Sequence, residues 1–157
     1  MSDIKKETVS LRKAEIRDVP AIASFNILMA AETEGKELEP GVVLRGVKAV
    51  IKDPHKGFYL VAETKEPRVI GQLMITYEWS DWRNRNFWWI QSVYVETEYR
   101  GRGVFIQLFR YLEEMARFRK DVAGLRLYVE KHNRRAREIY ESLNLVQTYY
   151  DMHEMEF

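Results

Sequence analysis

The sequence predicts an α/β fold of the α+β kind, a sheet sandwiched by helices. Three observations carry this. Short runs that alternate with a period of two, such as "TVSLRKA" (Thr8–Ala14), are interspersed with longer runs of helical period. The run "FWWIQSVYV" (Phe87–Val95) is largely apolar on both faces, which suits a central strand covered on both sides. Read along the chain, the elements follow the order β-α-α-β-β-β-α-β-α-β, a sheet sandwiched by helices.

Thr8–Ala14 is the first strand. Asp18 stands as an N-cap, with Pro20 in the first turn of a helix that reaches about Thr33. "AETEGKELEP" breaks that pattern, and "PGVVLRGVKAVIKD" (Pro40–Asp53) opens a second helix on proline. "GFYLVAE" and "RVIGQLMITYEW" form a hairpin pair joined through "TKEP", and "SDWRNRN" turns the chain into Phe87–Val95. Next, Val104, Phe105, Leu108, Phe109, Leu112, Met115 and Ala116 share one helical face, opposite Gln107, Arg110, Glu113, Glu114 and Arg117. "GLRLYVE" (Gly124–Glu130) is a further strand. Asn133 caps a helix whose inner face is Ala136, Ile139, Tyr140 and Leu143, and Asn144 ends it in a left-handed turn. "VQTYYDMHEMEF" supplies a last strand. With no repeat, low-complexity tract or linker, residues 1–157 read as one domain.

Composition narrows the chemistry. The formal net charge is +1, so no global field favours nucleic acid or an anionic membrane, and any positive site must be local. Cysteine is absent, which excludes disulfides, thiolate catalysis and Cys-type zinc sites. His55, His132 and His153 lie far apart without metal-ligand spacing, so no metal is expected. "MSDIKKETVS" has no apolar core for export and no segment approaches membrane-spanning length, which makes a cytoplasmic protein the default expectation.

One junction concentrates flexibility and positive charge: "YVETEYRGRGVFIQLFRYLEE" (Tyr94–Glu114). A helix N-terminus offers unpaired N–H groups and a positive dipole end. Gly101 and Gly103 permit backbone geometries that other residues resist, and Arg100 and Arg102 add charge beside them. A pyrophosphate cradle, a basic nucleic-acid patch and a solvated surface turn all fit these residues alone. The stretch is neither a Walker P-loop nor a dinucleotide fingerprint, since position 106 is Ile106.

Joined to "LYVEKHNRRAREIYESLNLVQT" some thirty residues on, the junction resembles the GNAT family of N-acetyltransferases. The first motif reads Arg100-Gly101-Arg102-Gly103-Val104-Phe105, and the second has Asn133, Ala136 and Tyr140 in register. The resemblance covers most of the chain, includes the order of elements, and implies a central mixed, mostly antiparallel sheet flanked by helices. It implies acetyl-CoA as co-substrate, its pyrophosphate held at the first motif and its pantetheine covered by the second. Two positions depart from the family pattern: Phe105 stands where glycine or alanine is usual, and Asn144 replaces a glycine near the end of the second motif. Phe105 either crowds the phosphates or turns into the core with Val104.

The resemblance further implies direct attack of a primary amine on the thioester while both substrates are bound. The leaving thiolate needs an acid with a pKa above that of a thiol, about 8.5, and a tyrosine near 10 fits; Tyr140 occupies the family position for this role. The thioester oxygen is received by a backbone N–H where the central strand splays from its neighbour, here Val93-Tyr94-Val95. Some members place a basic glutamate early on that strand, where this chain has Trp89. Glu78, at the end of the preceding strand, is the candidate base, with Asp81, Glu32, Glu34 and a water chain as alternatives.

Trp79, Trp82, Trp88 and Trp89 cluster near Glu78 and Asp81, and Glu32, Glu34, Glu37 and Glu39 follow the first helix. Aromatic faces and carboxylates together suit a cationic amine. Half the tryptophans in the core and the glutamates as an exposed run is an equally good reading. Arg83 and Arg85 would attract an acceptor's carboxylate, so small-molecule, amino-acid-like and peptide amines are all admitted. A homodimer is expected from the family, although no self-complementary patch is legible. The rival function is a non-catalytic CoA-binding or regulatory domain of the same fold; nucleic-acid binding is disfavoured by the charge balance.

Overall fold

Pairing of five strands in the order β1-β2-β3-β4-β5 organises the protein, seen in a computed structural model that describes residues 8–157. The strands are β1 (Ser10–Lys13), β2 (Phe58–Glu63), β3 (Val69–Ser80), β4 (Arg85–Val95) and β5 (Val122–Arg126). Neighbours are antiparallel except β4 and β5, which run parallel, so the sheet is mixed and mostly antiparallel as the sequence predicts. The helices are α1 (Val19–Glu34), α2 (Pro40–Lys52), α3 (Val104–Arg117) and α4 (Arg134–Ser142). Two compact units divide the chain, one ending at Leu127 and one running from Tyr128 to Phe157. The leader-free reading of the N-terminus falls largely on residues 1–7, outside the described residues.

The strand register assigns two faces to the sheet. One face takes Leu60, Leu73, Ile75 and Ile90, all buried, and receives α3 through Val104, Leu108, Phe109 and Leu112. Each such side chain fully removed from water is worth about 1.5–3 kcal/mol, so the segregated apolar face of α3 is sufficient reason for it to dock. Trp88 extends this face and meets Phe58 edge-on with ring centroids 5.2 Å apart. The opposite face buries Tyr59 and Val61 against Val19, Ile22 and Ala23 of α1 and Val47 of α2. Glu39 caps α2, accepting from the N–H groups of Gly41 at 2.9 Å and Val42 at 2.6 Å.

Three expectations are corrected. Asp18 precedes α1 but does not cap it; its carboxylate is drawn instead to Arg12 on β1, at 2.7 and 2.9 Å, and to the Glu15 N–H at 2.7 Å. A charged donor six residues away on an adjacent strand outcompetes the neutral N–H groups of the helix. The strand expected over Gly124–Glu130 is shifted to Val122–Arg126, because its ladder with β4 begins at Asn86↔Val122 and ends at Trp89↔Arg126. The last strand of the expected order, over 146–157, does not form. Val146, Tyr149, Tyr150, Met152, Met155 and Phe157 keep no period of two and line no single face of a strand, and they are exposed.

The Arg12–Asp18–Glu63 cluster has a consequence for acid stability. Arg12 also meets Glu63 through two bonds of 3.1 Å. Burial works to raise the Asp18 pKa, but the Arg12 guanidinium and the Glu15 N–H outweigh it and hold the carboxyl below its ordinary value. A depressed carboxylate contributes stability in full above its unfolded value, 3.8, and loses it as pH falls below that toward the folded one. Asp18→Ala is expected to cost about 2 kcal/mol at pH 7, the scale of lost charge-assisted hydrogen bonds, since Arg12 keeps its two bonds to Glu63, and to flatten the acid limb of stability. Urea unfolding between pH 7 and 2 checks this; a parallel acid limb in the variant would assign acid sensitivity elsewhere.

Candidate active site

β4 loses its β5 partner beyond Trp89, so its C-terminal half presents an open edge. Alternate N–H groups of a strand point to opposite edges. Glu96 donates to Ile70 O at 2.9 Å, toward β3, so Tyr94 N–H also points to β3 and Val95 N–H faces the open edge. The Val93 N–H opposes the Ser92 carbonyl, which Gln72 of β3 holds at 3.2 Å, and so is directed away from β3. The Val95 carbonyl on that edge accepts from Arg100 Nε at 2.8 Å. Of the three residues expected to receive the thioester oxygen, Val93 and Val95 carry the outward donors. Tyr94 is buried, its ring stacked on Phe25 of α1 at 4.9 Å between centroids.

A bulge sets the local direction of this edge. The β3–β4 register shifts between Gln72 and Met74, and Ser92 has a positive φ of 49°. Gln72, wholly buried on the α1 face, donates through Nε2 to Asn26 Oδ1 at 2.7 Å and to the Ser92 carbonyl at 3.2 Å. Asn26 in turn donates to the Tyr59 hydroxyl at 3.2 Å, which shares a hydrogen bond with the Ser92 side chain. Burial pushes the Tyr59 pKa up.

The glycine junction follows. Gly101 (φ 75°) and Gly103 (φ 77°) are both left-handed, and a Cβ on either would meet no atom within 4 Å, so the backbone lies open where α3 begins. Gly103 occupies the N-cap position and, having no side chain, leaves the helix end without a side-chain cap. Phe105 turns away from this surface: half-buried, its ring packs against Phe109 at 6.2 Å between centroids. Arg102 lies over the Tyr99 ring at 5.4 Å. Arg100 bonds Glu32 of α1 at 2.8 Å while lying over the Tyr94 ring at 5.2 Å, so it ties the end of β4 to α1.

On the α1 face, β3 and β4 lead outward from Gln72 through Met74, Thr76 and Glu78, paired with Gln91, Trp89 and Phe87. Glu78 accepts from Trp89 Nε1 at 2.7 Å and is bonded by Arg126 of β5. Arg126 lies 3.6 Å from the Phe87 ring centroid and Arg83 lies 5.0 Å from it. The other candidate bases are also engaged: Glu32 by Arg100, Glu34 by Lys36, and Asp81 by the Trp82 N–H. Of the tryptophans, Trp88 is core, Trp89 serves Glu78, and Trp79 and Trp82 are exposed.

In the second unit, Asn133 Oδ1 accepts from Ala136 N–H at 3.1 Å, capping α4 as the sequence predicts. Asn144 closes the helix at φ 64°, a left-handed turn reached without glycine. Tyr140 is half-buried, and loss of solvent pushes its pKa above 10. A phenol held there stays protonated at neutral pH and is able to donate a proton.

Sequence reasoning missed Gln72, Asn26, Ser92 and Arg126. The available signal was a lone polar residue inside an apolar strand run, Gln72 in "RVIGQLMITYEW" and Ser92 in "FWWIQSVYV". Among the described residues no cluster of three metal-ligating side chains forms, and no helix is long and apolar enough to cross a membrane.

Residues 23–144 match the model of the acetyltransferase (GNAT) family. A possible acetyltransferase from Clostridium difficile 630 is 48% identical, with a TM-score of 0.89 over 96% of this chain and 99% of that one. A predicted acetyltransferase from Clostridium acetobutylicum, solved with acetyl-CoA, superposes with a TM-score of 0.75 over 94% of this chain and 96% of that one, at 17% identity, a likeness of fold. Thialysine N-epsilon-acetyltransferase of Bos taurus is 33% identical over 81 residues, 52% of this chain, and the match spans 46% of that relative's length. With the family model covering most of its length, a mixed sheet opening along β4 and a glycine-lined start to α3, the chain belongs to the acetyltransferase (GNAT) family.

Proposed function

We propose that the protein transfers the acetyl group of acetyl-CoA directly to a primary amine, both substrates being bound together. The observation that carries this reading is the open edge of β4, with outward N–H groups at Val93 and Val95 beside the glycine-lined start of α3. A pyrophosphate suits the backbone at Gly101, Gly103 and Val104, where donors and the helix dipole favour an anion. A thioester oxygen gaining negative charge suits a fixed backbone donor on the strand edge. Arg100 serves the site by fixing the end of β4, while Arg102 supplies charge at the phosphates. Asn133 and Ala136 shape the start of α4, which covers the pantetheine in the family, and Tyr140 protonates the departing thiolate.

The acceptor is a lysine-like amine that also carries a carboxylate. Arg126 and Arg83, gathered at the Phe87 ring, suit an acceptor's carboxylate, and Glu78 beside them suits its ammonium group. The bovine relative's name, with its ε-amine of thialysine, points the same way. Glu78 is the proposed base, exchanging its bond to Trp89 Nε1 for one to the amine. The test is a panel of amines, hydroxyl compounds and thiols assayed by CoA release, with wild type and Glu78→Gln. Amino-acid-like amines should turn over best, and the variant should fall about 100-fold, within the range for a general base. Turnover confined to hydroxyl or thiol acceptors would reject the acceptor class; an undiminished variant would hand the proton to water.

A further inference from the structure

We infer that Gln72 is a positioning residue for acetyl transfer, gripping the carbonyl of the Ser92–Val93 peptide so that the N–H at its other end is aimed at the thioester. This rests on the acetyl-transfer reading above, and goes beyond it by assigning a side chain to the control of the backbone donor.

A peptide group is rigid. A trans peptide is planar, with its C=O and N–H pointing in opposite directions. The carbonyl of Ser92 and the N–H of Val93 are two ends of one such group. Gln72 Nε2 donates to that carbonyl at 3.2 Å from within the α1 face. With its carbonyl end drawn to Gln72 of β3, the peptide sends the Val93 N–H away from β3, to the edge where β5 has left the ladder. Whatever holds the carbonyl therefore holds the N–H. Donation to the carbonyl also polarises the peptide and strengthens its N–H as a donor, the cooperative effect of chained hydrogen bonds.

Such a grip is needed here because the bulge removes the usual one. At Ser92 the ladder with β3 shifts register, and the residue adopts a φ of 49°, a conformation that side-chain-bearing residues seldom take. The Ser92 carbonyl is held by a side chain from the neighbouring strand. That side chain is itself immobilised: Nε2 donates at 2.7 Å to Asn26 Oδ1, and Asn26 is tied to Tyr59. Two carbonyl acceptors around one nitrogen also fix which end of the amide is which.

The cost of the arrangement points to function. Gln72 is wholly buried, and its Oε1 has no hydrogen-bond partner among the described residues. A buried orphan acceptor is destabilising, and an apolar residue of similar length would avoid it. The side chain is thus poorly chosen for packing and well chosen for holding one carbonyl. Replacement removes the orphan Oε1 but takes the donor from Asn26 Oδ1 and from the Ser92 carbonyl, so stability falls under either role; a positioning Gln72 predicts in addition lost turnover with CoA binding kept.

The test compares wild type, Gln72→Met, which keeps volume and removes the donor, and Asn26→Ser, which leaves Gln72 in place and frees its amide. Expected for Gln72→Met are a melting temperature a few degrees below wild type, kcat lower by about 30-fold, and a CoA dissociation constant within twofold. Asn26→Ser should show the same split in smaller measure, and it keeps the proposal testable if Gln72→Met does not fold. The readout separate from turnover is the Val93 amide resonance in a ¹⁵N-labelled sample titrated with CoA and then with acetyl-CoA. Wild type should shift with acetyl-CoA and not with CoA, and the variants should lose that difference. A wild-type Val93 amide indifferent to the acetyl group would overturn the site reading on which this rests. A wild-type shift retained in the variants, or kcat within twofold of wild type, would overturn the role of Gln72 alone.

Discussion

Tyr140→Phe is expected to lower kcat by about 100-fold or more, in the range for loss of a general acid, while acetyl-CoA binding stays within about twofold. The chemical reason is the leaving group. A thiolate departing from CoA needs a proton donor that is still protonated at the working pH and more basic than the thiolate once deprotonated. Burial raises the Tyr140 pKa above the ordinary phenol value, so the donor is fully protonated across the neutral range. The sign for pH follows. The acid is present below its pKa and lost above it, so wild-type kcat should hold through about pH 9 before this group titrates. Phenylalanine keeps the half-buried ring and removes only the hydroxyl, so folding should be little changed. Turnover equal to wild type at every pH would show that Tyr140 is a packing residue of α4.

Gly103→Glu is expected to weaken CoA binding by about 100-fold, equivalent to about 2.7 kcal/mol. Two effects add. Gly103 has a φ of 77°, which a side chain resists, and relief of that strain turns the backbone N–H groups away from the phosphates. The rest is electrostatic, because a carboxylate at the positive end of α3 repels the pyrophosphate it replaces. Gly103→Ala separates them: a Cβ there meets nothing within 4 Å, so alanine carries the backbone strain without bulk or charge. It should lose no more than about tenfold. Calorimetric titration of both variants with CoA is decisive, and normal affinity in the glutamate variant would put the pyrophosphate elsewhere.

The legible parts of this molecule are those written in local pattern. The inner face of α3 follows from helical spacing, and the structure buries Val104, Leu108, Phe109, Leu112 and Ala116 as that spacing requires. Asn133 and Asn144 bracket α4 because caps are decided within a few residues. What escaped was decided across long sequence separations. Gln72 and Asn26 are 46 residues apart, and nothing local distinguishes a glutamine that holds a carbonyl from one that faces solvent. Asp18 shows the same limit at short range, its chemistry fitting a cap until Arg12 arrives from β1. Phe105, alarming as a departure from the family motif, is explained by one neighbour, since Phe109 receives its ring. The last strand failed for a reason visible in the sequence, an irregular spacing of apolar residues over 146–157 that does not alternate.

The central claim is direct transfer from CoA to an amine, with no acyl-enzyme between them. The absence of cysteine already removes the thiolate most suited to carry an acyl group. The most direct measurement mixes enzyme with acetyl-CoA radiolabelled in the acetyl group, with and without a lysine-like amine, and quenches within a single turnover. The account predicts label on the amine nitrogen in one-to-one stoichiometry with free CoA, and none on the protein when the amine is withheld. Label on the protein without amine, or CoA released with no acetylated amine formed, would contradict it.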